Sequence, residues 1–172
     1  TSRVVEIDRR NVTFTPRHPP APGDVRLLGH DDPTLVDELV KRWEQFRRQT
    51  VGELSRSETW HRYTIGADRG KVEWAFHDDG FAVWQVSTDW STVPSGHRLR
   101  VHILAASTPA ARDALLATMF AHDLVGTIEL RLPLDDPLPD QLDDSRVIRT
   151  TWLRDGLWLR VDDVAAVFGA RT

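Results

Sequence analysis

Arg98-Leu99-Arg100-Val101-His102-Ile103-Leu104 runs directly into Ala105-Ala106-Ser107-Thr108-Pro109-Ala110-Ala111-Arg112. The first seven residues alternate polar and apolar up to Leu104, the period of a strand with one wet face. Thr108-Pro109 then marks a helix start, with Thr as N-cap and Pro at the first helical position. Ala111, Leu115, Thr118 and Met119 continue down one side of a helix from Ala110 to about Ala121. A strand that hands its chain to a helix N-terminus is a common place to hold a phosphate. The residues of this turn therefore bear on both fold and chemistry.

Working outward, Thr127 to Leu132 reads as the next strand. Asp135 to Leu142 is a proline-marked turn or short helix. Val147–Trp152 and Leu157–Val161 flank Asp155-Gly156, a hairpin signal. Asp162 or Asp163 caps a last helix from Val164 to Phe168. Upstream, Val72, Trp74 and Phe76 alternate with Lys71, Glu73 and His77, and His77-Asp78-Asp79-Gly80 turns the chain into a strand from Phe81 to Ser87. Val36, Leu39, Val40, Trp43 and Phe46 line one face of a helix that Asp32-Pro33 starts. Ser55 and Glu58 fit a capping box for a second helix ending near Tyr63. Val25 to Leu28 is a short strand. Arg3 to Thr15 is strand material, and Pro16 to Gly23 reads as a linker, because proline removes backbone donors and extends the residue before it.

With 172 residues, 40% hydrophobic and 28% charged, the chain fits one globular domain. The absence of cysteine excludes disulfides, Cys-ligated zinc and thiol catalysis. A net charge of −4 argues against nucleic acid as a partner. No stretch is apolar enough to span a membrane, and no basic-then-apolar leader is visible, so the expected compartment is the cytoplasm, with secretion left open. The chain begins Thr1-Ser2-Arg3, which is expected of a piece cut from a longer protein.

The seven histidines show no metal-ligand spacing, and neither a P-loop nor GxSxG occurs, so no metal site is expected. The paired aspartates fall at turns and helix starts, where capping accounts for them. Tryptophan is abundant, with seven residues. Trp43 falls on the apolar face of its helix, which makes it core. Trp84 and Trp158 have the opposite parity to their strand neighbours. They need either a sheet buried on both faces or a packing partner.

From Asp24 onward the order β-α-α-β-β-β-α-β-α-β-β gives an α/β fold of the α+β type: a mostly antiparallel sheet flanked by helices. It resembles the GCN5-related acetyltransferase (GNAT) fold. In that fold the turn after the fourth strand is a glycine-rich cradle for the coenzyme A pyrophosphate. Here Ala105 to Arg112 contains no glycine, and Pro109 removes an amide donor, so no acetyl-CoA binding is expected in this domain.

Arg149-Thr150-Thr151-Trp152-Leu153-Arg154-Asp155-Gly156-Leu157-Trp158-Leu159-Arg160-Val161, followed by Val164-Ala165-Ala166, closely resembles a segment of the enhanced intracellular survival (Eis) acetyltransferases. So do Asp136-Pro137-Leu138-Pro139 and Arg42-Trp43 … Leu54-Ser55-Arg56 … Trp60. The resemblance implies three domains: an N-terminal GNAT domain, a central GNAT-like domain and a C-terminal sterol-carrier-like domain, assembled as a homo-hexamer. Such enzymes acetylate amines, including aminoglycosides and lysine side chains, with acetyl-CoA. The present chain resembles the central domain. On this reading residues 1–23 are a run-in strand and linker from a preceding domain, and 24–172 are the GNAT-like unit. The family's cofactor loop and catalytic tyrosine lie elsewhere, so Tyr63 inherits no catalytic role and no catalytic or cofactor-binding residue is assigned. Trp43 and Trp60 match aromatic walls of the family's acceptor pocket. The alternatives are a pure oligomerisation or interaction module, and a self-sufficient acetyltransferase with a divergent cofactor loop.

Overall fold

The computed structural model describes residues 1–67, 72–91, 96–156 and 161–170. It is a mixed α/β fold around one seven-stranded sheet. The strands are β1 (Ser2–Asp8), β2 (Arg26–Leu28), β3 (Glu73–His77), β4 (Gly80–Ser87), β5 (Arg98–Ala106), β6 (Thr127–Pro133) and β7 (Ile148–Arg154). The helices are α1 (Leu35–Gln49), α2 (Glu58–Ala67), α3 (Pro109–Phe120) and α4 (Val164–Gly169). The spatial order is β2-β3-β4-β5-β6-β1-β7. Among the described residues all neighbours are antiparallel except β5 and β6, which run parallel and have α3 between them in the chain.

The sheet is covered on both faces where β3 and β4 lie. Leu35, Leu39 and Trp43 of α1 pack on Trp74, Phe76, Phe81 and Val83 on one side. Leu115, Leu116 and Met119 of α3 pack with Ala75, Ala82 and Trp84 on the other. This explains the parity of Trp84, which is fully buried under α3 while its neighbour Val83 faces α1. Trp158 lies outside the described residues, as does the second strand of the Asp155-Gly156 hairpin.

The alternation of Arg98 to Leu104 is interrupted by a register shift. Val83 pairs with Ile103 and Trp84 with Val101, which leaves His102 as an extra residue. Such a bulge changes which face the following side chains reach. Leu99 and Val101 therefore pack on the α3 side, whereas Ile103 and Ala105 join the cluster under α1.

The segment ahead of Asp24 contributes a strand to the same sheet. β1 pairs with β6 on one side and with β7 on the other, and Val5 and Ile7 are fully buried. The alternation Val5, Ile7 supplies one apolar face for α3, and β1 is an interior strand of the sheet. The proline-rich segment behind it is tied down as well. Thr15 N donates to Gln141 O at 2.8 Å, and His18 N donates to the buried carboxylate of Asp113 at 2.9 Å.

Two helix starts also differ in detail. Asp32 does not cap α1 directly; its carboxylate accepts from Thr34 N at 2.8 Å and forms the turn ahead of the helix. α2 begins at Glu58, with Ser57 Oγ accepting from Trp60 N at 3.2 Å, so Ser57 and not Ser55 performs the capping. α2 continues past Tyr63 to Ala67.

Candidate functional site

Two places carry the chemistry that the sequence singles out: the β5–α3 turn and the tryptophans of α1 and α2. The turn begins as expected, with Thr108 Oγ1 accepting from Ala111 N at 3.2 Å. Pro109 occupies the first helical position, so one of the N–H groups a helix normally leaves free is missing. The β3–β4 turn packs underneath. Asp79 O accepts from Ser107 N at 2.8 Å, and the Asp79 carboxylate accepts from Thr108 Oγ1 at 3.4 Å and from Gln45 Nε2 at 2.8 Å. Ser107 Oγ is buried with no partner.

A glycine does lie here, but it serves contact between strands. A Cβ on Gly80 would sit 2.5 Å from Ala105 O and 2.9 Å from Ala106 Cα. On the other side of the turn, β5 and β6 pair only over Arg98–Arg100 and Thr127–Glu129 and then part. The gap is bridged by an ion pair between Arg112 of α3 and Asp136, just beyond β6, with Gln141 Oε1 accepting from Arg112 Nη1 at 2.9 Å. Leu138 is fully buried beside them. The helix end is thus closed by its own threonine, a proline and a carboxylate. These groups do not fit a pyrophosphate, which needs free amides and room for an anion.

The tryptophans form the second place. Trp43 follows Leu35 and Leu39 at four-residue spacing, so the buried stripe of α1 carries it inward, where it is 2% exposed. Its Nε1–H donates to Leu54 O at 3.0 Å and fixes the chain that leaves α1. Gly52, at φ +89°, lets that chain reverse. Trp60, in the first turn of α2, is 41% exposed. The two indoles meet through Arg56, whose guanidinium carbon lies 3.4 Å from the Trp43 ring centre and 4.3 Å from that of Trp60. His61 stands edge-on to Trp60 with ring centres 5.4 Å apart. It is buried, with no partner for Nε2. Burial, helped by the charge of Arg56 and opposed by Glu44, pushes its pKa below the ordinary histidine value, so it is neutral at pH 7.

The structure thus brings Trp43 and Trp60 together on one guanidinium. In the sequence Arg56 is visible only as part of the Leu54-Ser55-Arg56 motif, because a lone arginine in a loop has no periodicity to give it away. Tyr63, one turn further along α2, is largely exposed. Among the described residues no group of three or more His, Asp or Glu is placed to hold a metal, and no helix is long and apolar enough to cross a membrane.

Comparison with known proteins places this architecture. Residues 52–161 match the family model described as "Acetyltransferase (GNAT) domain". The chain is 34% identical over 185 aligned positions to the N-acetyltransferase Eis of Mycobacterium tuberculosis (strain ATCC 25177 / H37Ra), an alignment that covers 99% of this chain and 43% of that protein. The crystal structure of Eis1 from Mycobacterium abscessus superposes with a TM-score of 0.80 at 31% identity, covering 100% of this chain and 45% of that one. A GCN5-related N-acetyltransferase from Anabaena variabilis shares the fold, with a TM-score of 0.64 at 14% identity over 88% of this chain and 38% of that one. The chain spans less than half the length of the Eis relatives it matches. It belongs to the acetyltransferase (GNAT) domain family, and over nearly its whole length it is similar to part of the Eis N-acetyltransferases.

Proposed function

We propose that this chain is the central, noncatalytic GNAT-like domain of an Eis-like N-acetyltransferase that uses acetyl-CoA elsewhere in the full protein. The single observation that carries this reading is the β5–α3 turn, where Thr108, Pro109 and the Asp79 carboxylate stand in place of free amides. An anionic cofactor would meet a carboxylate and a missing donor there. The domain's part in catalysis is then to furnish wall for the acceptor pocket, with Trp60 as the exposed aromatic and Trp43 behind it. Its partners on this reading are an N-terminal GNAT domain and a C-terminal sterol-carrier-like domain of the same chain, within a homo-hexamer. The substrates are amines, aminoglycosides and lysine side chains among them, and the compartment is cytoplasmic.

Calorimetric titration of this chain with acetyl-CoA tests the first part. The expected result is no heat of binding; micromolar affinity, about −8 kcal/mol, would make the domain a cofactor binder and overturn the reading. In the full-length enzyme, Trp60→Ala is expected to raise KM for a polyamine with little change in thermal stability. Unchanged kinetics would remove Trp60 from the pocket.

One observation favours a second reading, a module for assembly alone. On β7 and α4, Trp152, Leu153, Val164, Val167 and Phe168 are all exposed, an unusual density of large apolar side chains on the last two described elements. Full-length protein whose hexamer is broken by Trp152→Asp, with acceptor KM unaffected by Trp60→Ala, would support that reading.

A further inference from the structure

Arg56 is unusual in how it is held. Its guanidinium carbon lies over two indoles, 3.4 Å from the ring centre of Trp43 and 4.3 Å from that of Trp60. Among the described residues no carboxylate lies within ion-pair distance of it, whereas most other arginines near this region have one: Arg42 with Glu38, Arg47 and Arg48 with Glu44, Arg62 with Glu58. Glu53 acts on it only from further away. Nη1 is buried and hydrogen-bonded to nothing. Nε and Nη2 have no hydrogen-bond partner among the described residues and are not buried.

The position is also electrostatically unfavourable. Arg56 precedes α2 by two residues, so it sits at the positive end of that helix, where an anion and not a cation is stabilised. The buried neighbour His61 is held neutral in part by the same charge. Contact with two π-faces offsets part of these costs, but it leaves the in-plane N–H edge unused. A guanidinium held in place by two indoles with N–H groups unpaired is organised for the planar fork of a carboxylate or phosphate.

We propose that Arg56, held against Trp43 and Trp60, is an oxyanion-binding site that takes a carboxylate or phosphate group through its unpaired N–H groups. Such a site would select molecules that carry an acidic group beside whatever else they present to the exposed face of Trp60. The proposal does not depend on acetyl transfer, because the site lies wholly within this chain and needs no cofactor.

The test is a side-chain NMR titration of the 172-residue chain. The Nε–H of Arg56, assigned through its own backbone amide, and the Nε1–H of Trp60 are followed as inorganic phosphate is added in one arm. A dipeptide with a free amine and a C-terminal glutamate is added in the other. Both signals are expected to move together along one saturating curve in the millimolar range, while the exposed arginines Arg131 and Arg154 stay still or drift linearly. Saturation in both arms identifies a general oxyanion site, and saturation with the dipeptide alone identifies a site for a carboxylate carried by a larger molecule; either supports the proposal. Arg56→Gln is expected to abolish the curve, with an unchanged near-ultraviolet circular dichroism spectrum. No saturable movement in the wild type in either arm, or a drift shared equally by all arginines, overturns the proposal. That result leaves the pocket-wall reading of Trp60 untouched, since that reading is tested by acceptor KM in the full-length enzyme.

Discussion

The indole N–H of Trp43 donates to the carbonyl of Leu54 at 3.0 Å, across the loop that joins α1 to α2. Trp43 is therefore both a core residue and the anchor for the strand of chain that carries Arg56. The two roles separate by substitution. Trp43→Phe keeps most of the apolar contact and loses the hydrogen bond, so urea denaturation is expected to show a loss of about 1–2 kcal/mol. Trp43→Ala removes the packing as well and is expected to cost about 3–5 kcal/mol. A Trp43→Phe variant as stable as the wild type would show that the hydrogen bond contributes nothing, and equal losses in the two variants would show that the packing adds nothing to it.

Gly80→Ala is expected to destabilise the chain although it adds a single methyl group. That methyl would fall 2.5 Å from Ala105 O, a backbone atom of the adjoining strand, so relief requires β4 and β5 to move apart. Overpacking of this kind costs about 1–3 kcal/mol. The same change at Gly29, where nothing lies within 4 Å of an added Cβ, provides the control. A melting temperature for Gly80→Ala no lower than that of Gly29→Ala would contradict the close approach.

Most of the element order was legible in the sequence because the signals were local. Thr108-Pro109 fixes the start of α3, Asp163 caps α4 by accepting from Ala166 N at 2.9 Å, and His77-Asp78-Asp79-Gly80 makes a two-residue turn between β3 and β4. What escaped was non-local. Nothing in Ser2–Asp8 says that the strand will slot between β6 and β7, since Val5 and Ile7 would alternate in the same way at a sheet edge. The bulge at His102 depends on pairing with β4 and is invisible from the alternation of β5 alone. At the candidate site, Trp43 and Trp60 stood out by residue type, whereas Arg56 became informative only once its two indole neighbours had coordinates.

Stability is expected to rise with pH through the range just below the ordinary histidine pKa of 6.5, and His61 is the reason. Burial, together with the charge of Arg56, lowers its pKa in the folded state. Between the folded value and 6.5 the unfolded chain therefore binds the proton more readily, and unfolding is favoured as pH falls. The contribution is fully present above 6.5 and is lost as pH drops through the folded value. Denaturation midpoints measured from pH 5 to pH 8 for wild type and His61→Gln test this. The wild type should show the steeper rise, and parallel curves would mean that His61 is not the titrating group.

Asp113 offers a test of how the proline-rich strap is held. Its buried carboxylate accepts from the backbone N–H of His18 at 2.9 Å, from Gln141 Nε2 at 2.7 Å, and contacts His18 Nδ1 at 3.1 Å. Burial alone would raise its pKa, but these hydrogen bonds and the nearby charge of Arg112 hold it below the ordinary value of 3.8. A lowered acid stabilises the folded state at pH above 3.8, and that stability disappears as pH falls through the folded value. Asp113→Asn loses the charge and keeps only one accepting oxygen, so an N–H₂ donor replaces the acceptor of either His18 N–H or Gln141 Nε2. The backbone N–H of His18 is then expected to exchange with deuterium at least tenfold faster, a change of about 1.4 kcal/mol in local opening. The core strands β1 and β6 should remain protected, because Val5, Ile7, Ile128 and Leu130 are buried in the cluster that Leu115, Leu116 and Met119 of α3 complete. Unchanged exchange at His18 would show that the strap is held by Thr15 and Gln141 instead.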